Sequence, residues 1–213
     1  MTAGPRAAAG RPADRPATAD PDAPSLLLHT WRRLDWRFLL PTDAYARVAC
    51  AGAVDQALRE ALPLLAGEVH EPAEPSDWRA LAGRCDVVVL VEPTPAQFRA
   101  AVGALRPGGW LYTEVRRTPR ASGPRSLVGW RRAAVRAGLV EVCAHWHAPD
   151  LTEPQRIISL DAPMALRHAL RRPSGGVRSL LRAGLVRTLV ATGLFPLAVP
   201  AGSVTGQRPG GTA

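Results

Sequence analysis

His145 and His147 stand two residues apart in the run LVEVCAHWH (139–147), and Asp150 follows three residues later. Residues two apart in an extended strand share one face. Such a pair beside a carboxylate has the outline of a metal site or a general base. No third and fourth ligand stands at a metal-binding spacing, and Trp146 between the histidines favours a packed aromatic cluster, so no metal is expected. The three cysteines, Cys50, Cys85 and Cys143, each lie in or beside an apolar run. They form no C-x-x-C pair and cannot build a disulfide framework. Buried structural thiols in a reducing cytosol are expected. No Ser/His/Asp set has a family spacing, so no catalytic residue is assigned. A phosphate loop ending in Gly-Lys is excluded, because the chain contains no lysine.

All 27 basic residues are therefore arginine, and the net charge is +9 over 213 residues. With so much Ala, Gly and Pro beside them, the arginines reflect a compositional bias as well as function. Their distribution carries more information than their number. The excess lies after residue 115, and the last acid is Asp161. Nucleic acid, an anionic membrane surface and a phosphorylated substrate are the partners such a charge admits. Nucleic acid is the least favoured, because no RNA-binding motif is present. Apolar residues make up 46% of the chain, enough for a core. No uncharged apolar run reaches the 18 residues a membrane span needs.

The elements that must position these residues follow from periodicity. Residues 1–24 are rich in Ala, Pro, Arg and Asp, and they read as a disordered tail. LLLHTWRRLDWRFLLP (26–41) reads as a helix or strand on the outside of the core. ARVACA (46–51) reads as a buried strand. Residues 53–65 repeat apolar side chains at helical spacing up to a distorting Pro63. GEVHEP (67–72) is a second strand, and SDWRALAG (76–83) a short helix capped by Ser76. CDVVVLVEP (85–93) describes a strand covered on both faces. Thr94-Pro95-Ala96-Gln97 is a capping box with proline at the first helical position, and Pro107-Gly108-Gly109 stops the helix that follows. WLYTEV (110–115) is a strand, 126–138 a helix and 139–147 a strand. This alternation argues for α/β architecture with a mostly parallel sheet.

That order resembles the class I S-adenosylmethionine (SAM)-dependent methyltransferases. LRPGGWLYTEV (105–115) looks like the family's turn into its fifth strand, CDVVVLVEP like its fourth, and AGLVEVCAHW (137–146) like its turn into the sixth. SVTGQR (203–208) looks like its antiparallel seventh. The resemblance implies a cofactor site at the carboxyl ends of the first strands, where ligands of open α/β sheets sit. Gly52, Ala53, Glu71 and Glu92 are the implied SAM contacts. In the family, three spaced glycines follow the first strand; here VACAGAVDQ (48–56) keeps only Gly52, and Val54 and Gln56 stand at the other two places. A side chain there would crowd a ligand. Only twelve residues separate the second strand from the next, so the family's third strand is missing. The expected fold is a trimmed, doubly wound Rossmann-like sheet of about six mostly parallel strands, spanning residues 25–150, with a helical insertion at 151–202 before the last strand and a loose end at 209–213.

The resemblance implies a SAM-dependent methyltransferase-like protein of a biosynthetic or tailoring pathway. The alternative is a non-catalytic scaffold that holds a partner enzyme, a second copy or an anionic membrane surface. The contact would be made through residues 164–200 or through the segment bearing Trp31 and Trp36. Val177, Leu180, Leu181, Leu185 and Val186 recur there at helical spacing beside Arg178, Arg182 and Arg187. A cytoplasmic protein is expected, peripheral at the membrane in the last case.

Overall fold

The computed structural model describes residues 28, 30–42, 44–117, 123–152, 154–169, 188, 189, 192 and 194–211. The tail at 1–24 and the apolar repeat at 177–187 lie outside the described residues. Among the described residues seven strands form one sheet: β1 (Tyr45–Gly52), β2 (Ala66–His70), β3 (Cys85–Val91), β4 (Leu105–Arg116), β5 (Val140–Ala148), β6 (Arg156–Ser159) and β7 (Ala201–Gln207). Their order is β2-β1-β3-β4-β7-β5-β6. Neighbours among β2, β1, β3 and β4 are parallel. β7 runs antiparallel to both β4 and β5, and β6 antiparallel to β5. The sheet is thus doubly wound with β2 at one edge and, among the described residues, no strand beyond it, as the short 73–84 connection requires.

The seventh strand is the difference from the expected sheet. Arg156–Ser159 lies inside the segment read as helical and pairs with His145–Ala148. Four residues, RIIS, are too few to display a period of two, and tertiary pairing makes this strand. Two short helices of the same segment are described, α5 (Pro163–Ala169) and α6 (Phe195–Ala198).

Helices cover one face of the sheet: α2 (Pro75–Ala80), α3 (Pro95–Ala104) and α4 (Leu127–Arg136). Trp78, Phe98 and Trp130 from these helices pack there with Ala49, Val88, Leu90, Leu111 and Val204. α3 begins with the expected box: the Gln97 N–H donates to Thr94 Oγ1 at 3.2 Å, and the Thr94 N–H to Gln97 Oε1 at 2.9 Å. The cap of α2 differs from expectation. Glu74, not Ser76, is the N-cap, with Pro75 in the first turn and Asp77 reaching back to the Glu74 N–H at 2.9 Å. Pro75 accounts for this, because its fixed φ suits the first helical position and moves the cap two residues back, to Glu74.

The other face is covered by α1 (Gln56–Ala61), by the 3-10 turn Leu62–Leu64 that contains Pro63, and by residues 30–40, which we call the strap. Leu34, Trp36 and Leu40 of the strap pack on Val48, Cys50, Val87, Val89, Val91 and Tyr112. Trp36 stacks on Tyr112 with ring centroids 4.7 Å apart. This corrects one expectation: Trp36 is 2% exposed and is no docking residue. Its indole buries a large apolar area on the sheet, which outweighs leaving it outside. Trp31 does stand outside, with the Arg37 guanidinium over its ring.

Candidate functional site

At the carboxyl end of β1 the chain turns sharply. Gly52 has φ +95°, and a Cβ there would stand 2.0 Å from the Val91 carbonyl oxygen, so only glycine fits. The next amide, Ala53 N–H, donates to that same carbonyl at 2.8 Å. Val54 does not crowd the turn as expected, because its side chain is buried in the core beneath α1. Gln56 is turned away as well, its amide nitrogen donating to Glu60 at 2.7 Å. Gly52 and Ala53 are left exposed, with no side chain of the turn over them.

Glu71 follows β2 at the same end of the sheet. Its carboxylate accepts from Arg59 Nε at 2.9 Å, and both side chains are about half exposed. It borders a cavity of about 390 Å³ on the α2 side, which Arg47, His70, Asp77 and Arg84 also line. Glu92 ends β3 with φ +48° and lies 3.3 Å from Arg116 Nε. All four expected contacts therefore lie at the carboxyl ends of β1, β2 and β3. The structure groups Gly52 and Ala53 with the end of β3 and pairs each acid with a local arginine.

A second cluster at this end was not read from the sequence. Arg33, from the strap, is 2% exposed and forms a fork with Glu114 of β4, at 3.0 and 3.2 Å. It also lies 2.9 Å from Asp55 and donates to the Leu151 carbonyl at 2.8 Å. Tyr112 Oη donates to Glu114 at 3.1 Å. Burial disfavours the Arg33 charge, but Glu114 and Asp55 overcome this and lift its pKa above the ordinary value. Burial also lifts Glu114 and Tyr112, against the pull of Arg33. A signal for the cluster existed: an acid inside the apolar strand WLYTEV needs a cationic partner. Nothing in WRRLDWR marks which arginine turns inward.

His145 and His147 do share a face, and His147 Nε2 lies 2.8 Å from Ser203 Oγ. Asp150 does not join them, since its carboxylate caps its own turn through the Thr152 N–H at 2.8 Å. Trp146 lies on the opposite face, edge-on to Phe195 at 5.3 Å. Among the described residues no group of three His, Cys, Asp or Glu could hold a metal. Cys50 and Cys85 are buried free thiols, pushed up by burial to about 12 and about 11. They are therefore poor nucleophiles. Among the described residues no helix is long and apolar enough to cross a membrane.

No family model and no curated protein matches the chain. Solved structures do. A SAM-dependent methyltransferase from Archaeoglobus fulgidus is 10% identical, with 84% of this chain and 94% of that one covered and a TM-score of 0.51. The complex of the Haloferax volcanii Trm112 methyltransferase activator with a methyltransferase gives 16% identity, 90% and 95% coverage and 0.46. A SAM-dependent methyltransferase from Thermotoga maritima gives 10% identity, 88% and 95% coverage and 0.42. The fold is that of the class I SAM-dependent methyltransferases.

Proposed function

We propose that the chain binds SAM at the turn after β1 and is a methyltransferase-like protein of a biosynthetic or tailoring pathway. One observation carries this reading. The Gly52–Ala53 backbone is exposed at the carboxyl end of β1, next to the strand that Glu71 follows, with Val54 packed inward and Gln56 paired to Glu60, so the lost glycines leave neither side chain in the way. The residues present fit the cofactor in that respect. Glu71 would accept hydrogen bonds from the ribose hydroxyls. Its present pair with Arg59 is exposed and worth about 1 kcal/mol at most, so hydroxyl donors can compete for it. Glu92, at the neighbouring strand end, would approach from the other side of the turn. Bound SAM would supply an electrophilic methyl group. The chain's part would be to hold it in line with an acceptor, which for a good nucleophile requires positioning more than acid–base catalysis.

A second reading is favoured by the Arg33 cluster. Arg33, Glu114, Tyr112 and Leu151 satisfy one another in a buried network, so these groups offer no base to an acceptor. A scaffold that retains the fold and holds a partner through residues 164–200 or the Trp31 surface would look the same.

Calorimetry separates the two. The first reading predicts SAM binding tighter than millimolar, weakened roughly tenfold in Glu71→Ala, since a hydrogen bond to a charged acceptor contributes about 1.5 kcal/mol or more. No heat at millimolar SAM from folded protein rejects it and leaves the scaffold.

A further inference from the structure

We propose that Arg33 is a positioning residue for the turn Gly52–Asp55, so that the strap and the cofactor turn act as one unit and SAM affinity depends on both. The inference rests on the reading of that turn as the SAM site, and it names a part of the site that comes from outside the sheet.

The Arg33 guanidinium has five N–H groups in a fixed fork. Nε faces Asp55 Oδ1 at 3.4 Å. Nη1 donates to Glu114 Oε1 at 3.0 Å and to the Leu151 carbonyl at 2.8 Å. Nη2 reaches Glu114 Oε2 at 3.2 Å and Asp55 Oδ2 at 2.9 Å. Each nitrogen thus faces a partner within the protein, and at 2% exposure Arg33 offers nothing to a ligand. Its effect on a ligand must pass through the groups it holds.

Those groups are the ones that shape the turn. Asp55 Oδ1 accepts the Leu58 N–H at 2.8 Å, so the carboxylate that caps α1 is the one Arg33 grips. The other end of the turn is tied to β3 by the Ala53 N–H on Val91. The β1–β3 pairing at Gly52 and the Arg59 N–H on the Asp55 carbonyl also hold the backbone of 52–55, and the Asp55 carboxylate is the point at which the strap grips it. Arg33 at the same time spans β4, through Glu114, and the chain after β5, through Leu151. The three stretches that would surround a bound cofactor and its acceptor are thus referred to one buried head group. Leu34 and Trp36, both packed in the core, hold Arg33 in place. A lysine could not replace it, because a single ammonium cannot fork Glu114 and reach Asp55 together.

The test uses the full chain in three forms: wild type, Arg33→Lys, and the double variant Arg33→Met/Glu114→Leu. The double variant removes the buried pair without stranding a buried charge, since Asp55 is 39% exposed, and should remain folded. Hydrogen exchange is measured without ligand, and SAM affinity by calorimetry. We expect exchange at amides 53–58 to rise about tenfold or more in both variants while β5 keeps wild-type protection. SAM affinity falls about tenfold in parallel. Asp55→Asn, which cuts the same tie from the turn, should reproduce the local effect. Unchanged exchange at 53–58 overturns the proposal. So does loosening that extends equally to β5, or a double variant that unfolds, since each would make Arg33 a general structural tie. If wild type shows no SAM heat, the functional reading fails while the exchange data still decide whether Arg33 positions the turn.

Discussion

Burial keeps both histidines of β5 neutral. Exclusion from water pushes His147 down to about 3, and the nearby His145 and Arg33 push it the same way; burial lowers His145 too. In the unfolded chain a histidine takes up its proton near 6.5. Between about pH 6.5 and about pH 3 the unfolded state therefore binds more protons at this position. The stability contribution of His147 is complete above that window and is lost as pH falls through it, by up to about 1.4 kcal/mol per pH unit. Glu114, raised by burial above the ordinary carboxylate range, acts with the opposite sign, so the whole-protein curve mixes the two. The difference between wild type and His147→Gln isolates the histidine. Urea unfolding should show the advantage of wild type shrinking by about 1 kcal/mol between about pH 6 and pH 5. A second residue-scale prediction concerns Gly52. Alanine there meets the Val91 carbonyl oxygen at 2.0 Å with φ at +95°, and should cost about 3 kcal/mol in urea unfolding through strain and displacement.

At the scale of elements, α3 offers a matched pair of substitutions. Thr94→Ala removes one half of the capping box and should cost about 1 kcal/mol. Gly103→Ala adds a Cβ that meets nothing within 4 Å inside the same helix, and should add about 0.5–1 kcal/mol. Thermal unfolding of the two variants should therefore shift in opposite directions. This helix was legible in the sequence because its signals are local: a cap, a proline at the first position and a terminating Pro-Gly-Gly. β3 was legible for the same kind of reason, since CDVVVLV can only be a strand covered on both faces, and it is buried throughout apart from Asp86. β6 was not. RIIS owes its conformation to His145–Ala148 beside it, and no property of four residues announces partners that precede them in the chain. The turn after β1 lies between these cases. Its lost glycines are plain in VACAGAVDQ, but the directions of Val54 and Gln56 depend on how α1 packs. The sequence therefore indicated a crowded turn where the structure leaves Gly52 and Ala53 exposed.

At the scale of the molecule, the sheet has one well-clothed face and one that depends on the strap. α2, α3 and α4 cover the first, whereas among the described residues the second has α1, its 3-10 extension and residues 30–40. The strap's apolar residues were visible in the sequence, but their destination was not, because Trp36 finds its partner Tyr112 across 76 positions of chain. This dependence makes a prediction that separates packing from charge. Trp36→Ala deletes a stacked, fully buried ring and should cost about 3–5 kcal/mol. That is a large share of the 5–15 kcal/mol by which domains are stable. Deleting residues 1–40 goes further: it uncovers Val87, Val89, Val91 and Tyr112 and strands the Glu114 carboxyl without Arg33. Secondary structure should survive in that truncated chain while near-ultraviolet dichroism is lost and the dye ANS binds, as for a sheet that keeps its ladder and loses its packing. A truncated chain with native near-ultraviolet dichroism and no ANS binding would mean that α1 alone can close this face. The strap would then be an accessory to the fold rather than its fourth wall.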